Sequence, residues 1–142
     1  MAEASRTATM KVGAESLMRA IRDYENYPSF VQGVSSARVI DKGGQGLPTR
    51  VSYAIEVMGK AISYTLDHEE VDGGLRWTLV ESNLMKANEG SWVLRPLGPE
   101  ATEVTYAVKL DLNFSVPGFI MKSLVASSLP SLMAAFEKRA VG

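Results

Sequence analysis

The feature that most constrains this 142-residue chain is a change in its hydrophobic period. Between Val34 and Phe114 apolar and polar residues alternate, as in half-buried strands, and from Pro117 onward apolar residues return at helical spacing. The alternation is plainest from Thr102 to Phe114. There Val104, Tyr106, Val108, Leu110 and Leu112 point one way, and Thr105, Ala107, Lys109, Asp111 and Asn113 the other. Val51, Tyr53, Ile55 and Val57 repeat the pattern, as do Ile62, Tyr64 and Leu66, and then Leu75, Trp77 and Leu79. Turn residues at Gly43-Gly44-Gln45-Gly46, Gly59-Lys60, Asp72-Gly73-Gly74, near Asn83 and at Pro96-Leu97-Gly98-Pro99 divide the region into six strands. Links this short join antiparallel neighbours, because parallel strands need a crossover of a dozen residues or more. The expectation is a meander with one dry face.

The flanks complete the architecture. A weaker alternation over residues 3–12 predicts an edge strand, and Leu17, Met18, Ile21 and Tyr24 recur at helical steps within Ala14 to Tyr24. Pro28 is expected to end that helix by disfavouring the α region for Tyr27, with a short turn or second helix through Ser29, Phe30 and Val31 and an exit at Gly33. One long helix is predicted from Pro117 to about Arg139, with Ser115 as candidate cap and a bend at Pro130, whose ring removes the bond to the Ala126 carbonyl. At 1.5 Å per residue it spans roughly 35 Å, enough to cross the dry face. The predicted fold is α+β, a seven-stranded antiparallel sheet and a C-terminal helix, in one domain covering residues 1–142.

Composition then removes whole classes of function. Fifteen Lys and Arg against sixteen Asp and Glu leave a net charge of -1, so no bulk positive field attracts nucleic acid. The chain has no Cys and a single His, His68, so disulfides, thiolate chemistry and the usual metal ligands are absent and no cofactor is expected. His68 lies among Asp67, Glu69 and Glu70, a poor setting for a catalytic triad. The first residues lack the apolar core of a secretory leader, and no run is read as approaching the ~20 apolar residues of a membrane span. The chain is read as cytoplasmic, with contact to a membrane surface left open and the oligomeric state undetermined.

The residues on the dry face bear on what it encloses. Tyr53, Tyr64 and Tyr106 fall on three different strands at inward positions. Either each hydroxyl reaches solvent at a strand end, or the three line a cavity, since a buried phenol needs a partner. On the last helix Met121, Val125, Leu132 and Phe136 form a stripe beside the small residues Ser123, Ser127, Ser131, Ala134 and Ala135. The small face either leaves room or permits close helix-to-sheet contact. His68 is inward by parity, as a ligand contact or general base, although its acidic neighbours favour a surface or rim position. Glu81 and Arg95 read as solvated strand ends.

The segment Asp23-Tyr24-Glu25-Asn26-Tyr27-Pro28-Ser29-Phe30 resembles the D-x-E-x-Y-P-x-F signature of the polyketide cyclase/dehydrase and coenzyme-Q-binding family, within the START-like (SRPBCC) superfamily. Asn88-Glu89-Gly90-Ser91-Trp92 before a Pro-Leu-Gly turn, Thr102 to Tyr106, and Val116-Pro117-Gly118-Phe119 agree with it. The resemblance implies a helix-grip fold with a hydrophobic pocket between curved sheet and C-terminal helix. It also implies one of three roles: carrier or chaperone of a quinone, isoprenoid or other lipid-like ligand; polyketide aromatase/cyclase; or ribosome-associated toxin. The leading expectation is the carrier, its ligand a hydrophobic small molecule in contact with Tyr53, Tyr64, Leu66, Trp77, Leu79, Trp92, Tyr106, Val108, Phe119 and Leu124. If the protein is instead a cyclase, Tyr64, Tyr106 and His68 are the titratable inward groups that could move a proton.

Overall fold

A computed structural model describes residues 2–44, 47–57 and 59–142. The chain begins with β1 (Ala2–Met10), followed by α1 (Ala14–Arg22), a 3-10 turn (Tyr24–Asn26) and α2 (Tyr27–Phe30). Six strands follow: β2 (Val34–Asp41), β3 (Thr49–Val57), β4 (Lys60–Val71), β5 (Gly74–Ser82), β6 (Met85–Gly98) and β7 (Ala101–Leu112). The last element is α3 (Gly118–Val141). All seven strands form one antiparallel sheet in the order β1-β7-β6-β5-β4-β3-β2. The predicted α+β helix-grip arrangement is present. Of the expected turn at Gly43-Gly44-Gln45-Gly46, Gln45 and Gly46 lie outside the described residues.

Register follows the alternation. Val51 pairs with Leu66, Tyr53 with Tyr64 and Ile55 with Ile62, so the apolar sets of β3 and β4 share one face. The sheet's first and last strands meet when Ala2 pairs with Leu110 and Met10 with Thr102. Buried Thr102 donates its hydroxyl to the Val12 carbonyl at 2.8 Å, and the Lys11 amide donates to Glu137 Oε2 at 2.8 Å, tying the exit of β1 to β7 and to α3.

Two local expectations are corrected. The first helix stops at Asp23 (φ -83, ψ 53), before Pro28 has any effect, and Tyr27 is helical at φ -51, ψ -41. Pro28 sits in the first turn of α2, where its missing N–H has no helical partner to lose. Ser115 does not cap α3: the N-cap is Pro117, whose carbonyl accepts from the Ile120 and Met121 amides. Pro130 lies inside a helix that continues through it to Val141.

α3 turns Met121, Val125, Leu129, Met133 and Phe136 inward, all buried. Ser123, Ser127, Ser131 and Ala134 are exposed, so the small-residue face looks outward and leaves no room against the sheet. From Phe119 to Val141 the helix is long and apolar enough to cross a membrane by length and composition, contrary to the expectation that no run approaches a span.

Candidate functional site

Between the buried face of the sheet and α3 lies a cavity of about 280 Å³. Its wall is built from strand neighbours. Tyr53 and Tyr64 stack with ring centroids 5.2 Å apart on β3 and β4. Trp92 on β6 and its direct partner Tyr106 on β7 meet edge to face at 4.7 Å. Trp77 on β5 pairs with Gly90 and tilts against Tyr106 at 5.4 Å. The far side comes from α3 through Val125, Ser128, Leu129, Leu132 and Phe136, and from Tyr27 of α2.

No lysine, arginine or carboxylate stands among the described residues of this wall. Its polar groups divide into engaged and free. Tyr27 donates to the Ile21 carbonyl, Ser128 to the Val125 carbonyl at 2.8 Å, and Trp77 Nε1 to Asn88 Oδ1 at 3.0 Å. The amide nitrogen of Asn88 meets only the thioether of Met85, at 3.7 Å. Among the described residues Tyr64 Oη, Tyr106 Oη and Trp92 Nε1 have no protein partner, and none of these three atoms is sealed off by packing.

His68 occupies a special place. It lines the cavity and also an outer cleft shared with Tyr24, Thr49, Glu69 and Glu70. The Thr49 carbonyl, 3.3 Å from Nδ1, can only accept, so Nδ1 carries the proton. Nε2 then accepts from the Tyr53 hydroxyl at 3.0 Å. The Tyr24 ring covers the imidazole at 4.6 Å. Burial pushes the His68 pKa down to about 4, against the opposing pull of the Thr49 bond and Asp67. Burial likewise raises the phenol pKa values of Tyr53, Tyr64 and Tyr106, which stay neutral. The arrangement is an apolar container with neutral hydrogen-bonding groups, and its one histidine is a weak base.

Seven residues named from sequence, Tyr53, Tyr64, Leu66, Trp77, Trp92, Tyr106 and Val108, stand in this wall. Leu79 packs into the adjoining core outside it. Phe119 and Leu124 lie away from the cavity, 78% and 41% exposed, because the turn of α3 that brings Met121 and Val125 to the sheet carries them outward. His68, expected at the surface or rim, is 6% exposed. Arg95 forms a surface ion pair with Glu103 and Glu81 is exposed, as strand ends should be. Sequence reasoning missed Asn88, although its parity with Trp92 on β6 marks it as inward, and did not name Tyr27 among the ligand contacts.

The sequence model of the family described as polyketide cyclase / dehydrase and lipid transport matches residues 10–137. The chain belongs to this family. A relative within reach of sequence alone is the ribosome association toxin RatA of Escherichia coli (strain K12), 26% identical over 149 residues, covering 99% of this chain and 87% of the toxin. Among solved structures, a START superfamily protein from Mycobacterium smegmatis superposes with a TM-score of 0.87 at 21% identity, covering 97% of this chain and 96% of that one. The Zhui aromatase/cyclase from Streptomyces sp. R1128 gives 0.83 at 14% identity, covering 97% and 92%. Identities this low establish the START-like fold alone. The resemblance read from the Asp23 to Phe30 segment and the pieces beyond it is upheld by the family match.

Proposed function

We propose that the protein binds an uncharged, apolar small molecule in the cavity between sheet and α3 and acts as its carrier or chaperone. The observation that carries this reading is an aromatic and aliphatic wall with no charged side chain among its described residues. Affinity in such a site comes from apolar area removed from water, at roughly 25 cal/mol per Å². A volume of about 280 Å³ lies at the lower edge of the ~300–1,000 Å³ range of ligand pockets. This volume suits a quinone ring or short lipid-like chain and is too small for a long isoprenoid tail. Organic extraction of natively purified protein followed by mass spectrometry tests the reading. A co-purifying apolar compound supports it, and an empty extract together with no binding across a quinone and lipid panel defeats it.

A second reading takes the ribosome as partner, because the relative matching 99% of this chain is named for ribosome association. Against it stands a net charge of -1, which offers an RNA surface little attraction. Co-sedimentation with ribosomal subunits at physiological salt separates the two. The cyclase reading rests on the likeness to the Zhui enzyme and on the Tyr53–His68 pair, and ranks below the carrier because His68 is a weak base.

A further inference from the structure

We infer that a ligand enters and leaves the cavity through the sheet itself, by a slot between β5 and β6 that a bond from Trp77 to Asn88 latches. The inference rests on the cavity being a ligand site and adds the route to it.

The slot comes from strand pairing. In the other hairpins the ladder runs down to the turn: to Val57 and Lys60 between β3 and β4, to Val71 and Gly74 between β4 and β5, and to Gly98 and Ala101 between β6 and β7. β5 and β6 share four rungs, from Gly74 with Val93 to Trp77 with Gly90, and none among the described residues beyond. Both strands nevertheless continue, each held from its other side, Ser82 by Tyr64 of β4 and Met85 by Leu112 of β7. The tip of the hairpin divides in the same way. Ser82 Oγ donates to the Ser63 carbonyl at 2.8 Å and Asn83 Oδ1 accepts from the Ser63 amide at 3.0 Å, whereas the Leu84 carbonyl accepts from the Asn113 amide just past β7. One lip of the slot is therefore Thr78–Ser82 and the other Met85–Glu89, each roughly 16 Å long by strand rise.

The slot adjoins the cavity. Trp77 at its head and Met85 and Asn88 on the β6 lip stand in the cavity wall. On the outer side a depression of about 680 Å³ takes in the first residue of each lip, Thr78 and Glu89, together with Trp77 and Val108, which the cavity shares. Across the head of the slot lies the Trp77 indole. Gly90 opposite has no side chain, a Cβ there would stand 2.3 Å from Trp77 Cζ2, and Nε1 donates to Asn88 Oδ1 at 3.0 Å. Ser82 Oγ accepts from the Leu84 and Met85 amides at the tip. Between head and tip, the Trp77–Asn88 bond is the side-chain hydrogen bond that joins lip to lip among the described residues.

The way in beneath α3 is fastened more heavily. Arg139 pairs with Asp23 at 2.9 Å, Glu137 accepts from the Lys11 amide at 2.8 Å, and Met121, Val125, Leu129, Met133 and Phe136 all go into water if the helix lifts. Parting the lips breaks one neutral hydrogen bond and no ladder rung. A gate of this kind sets the rate of exchange and leaves the affinity of the closed state alone.

The chain has no Cys, so Val80→Cys with Lys86→Cys introduces a single thiol pair, exposed and on opposite lips. A bismaleimide with a disulfide in its spacer bridges the pair, and dithiothreitol cuts the bridge. Stopped-flow fluorescence follows uptake and release of 1-aminoanthracene, a neutral apolar probe whose emission rises away from water. Bridging should slow both steps by about tenfold or more with Kd unchanged, and cleavage should restore them. Asn88→Ala, which removes the latch, should speed uptake by about 3–10-fold, the worth of one neutral hydrogen bond. Bridged protein that exchanges the probe at wild-type rates, or slowed protein that cleavage does not release, overturns the slot and leaves the carrier reading standing, as does an Asn88→Ala variant with wild-type uptake. Wild type that takes up no probe up to its solubility limit overturns both.

Discussion

Tyr53 and His68, 15 residues apart and on adjacent strands, share a 3.0 Å hydrogen bond in the interior, with the imidazole neutral and its proton held on Nδ1 by the Thr49 carbonyl. Both line the cavity, and His68 also lines the outer cleft.

The neutral state of His68 sets a pH dependence of stability. Its native pKa is lowered to about 4 from an ordinary 6.5, so between those values the unfolded chain binds a proton that the native protein does not. The resulting stabilisation is complete above about pH 6.5 and is lost as pH falls toward 4, at up to roughly 1.4 kcal/mol per pH unit. Urea denaturation across this interval should show the decline in wild type and a flatter profile in His68→Gln. Matching profiles would contradict it.

Gly90 is required by the tryptophan beside it. A Cβ at this position would stand 2.3 Å from Trp77 Cζ2 and 2.4 Å from the Ala107 carbonyl oxygen. Gly90→Ala should cost about 1–3 kcal/mol through overpacking and backbone displacement. It should also break the bond from Trp77 to Asn88, shifting the indole fluorescence and the Trp77 N–H resonance; an unmoved signal with native stability would sink this account.

Phe136 fastens α3 over the cavity. Its ring lies edge to face with Tyr27 at 5.2 Å, Phe30 at 5.2 Å and Trp92 at 4.9 Å, and it is 2% exposed. Phe136→Ala should lose about 3–5 kcal/mol in equilibrium denaturation. A loss below ~1 kcal/mol would mean that the ring does not anchor the helix.

The outward positions of the same helix should behave differently. Phe119→Ser and Leu124→Ser remove side chains that are 78% and 41% exposed, and each is expected within about 0.5 kcal/mol of wild type. Met121→Ala, at a buried position two residues after Phe119, should cost about 2–5 kcal/mol. Equal losses at Phe119 and Met121 would mean that α3 is rotated from the arrangement described.

The sheet was legible because period two is unambiguous where one face is dry: Val51, Tyr53, Ile55 and their partners Leu66, Tyr64 and Ile62 pair as the alternation requires. α3 was harder. Its residues are apolar or small on nearly every side, so the period alone cannot choose between the face of Met121 and that of Leu124. His68 misled for another reason: Asp67, Glu69 and Glu70 advertise a surface, and the partner that makes burial tolerable, Tyr53, belongs to a different strand. The end of α1 was hidden because Asp23 breaks it through backbone conformation, whereas Pro28 is the louder signal. In the cavity, residue types disclosed tyrosines on the dry face, but which hydroxyls remain free depends on contacts between strands.

The position of β1 has a consequence for how the protein is made. β1 is synthesised before its partner β7, so Ala2 must wait for Leu110 and Met10 for Thr102. Contacts this distant in sequence carry a large loop-closure cost and slow the search for the native arrangement. During translation β1 stays an unpaired edge while the meander from β2 onward zips from one hairpin to the next. Only after β7 emerges does the sheet gain its final edge, and only after α3 does its dry face gain a cover, so the nascent chain is most exposed to aggregation in the interval between the two.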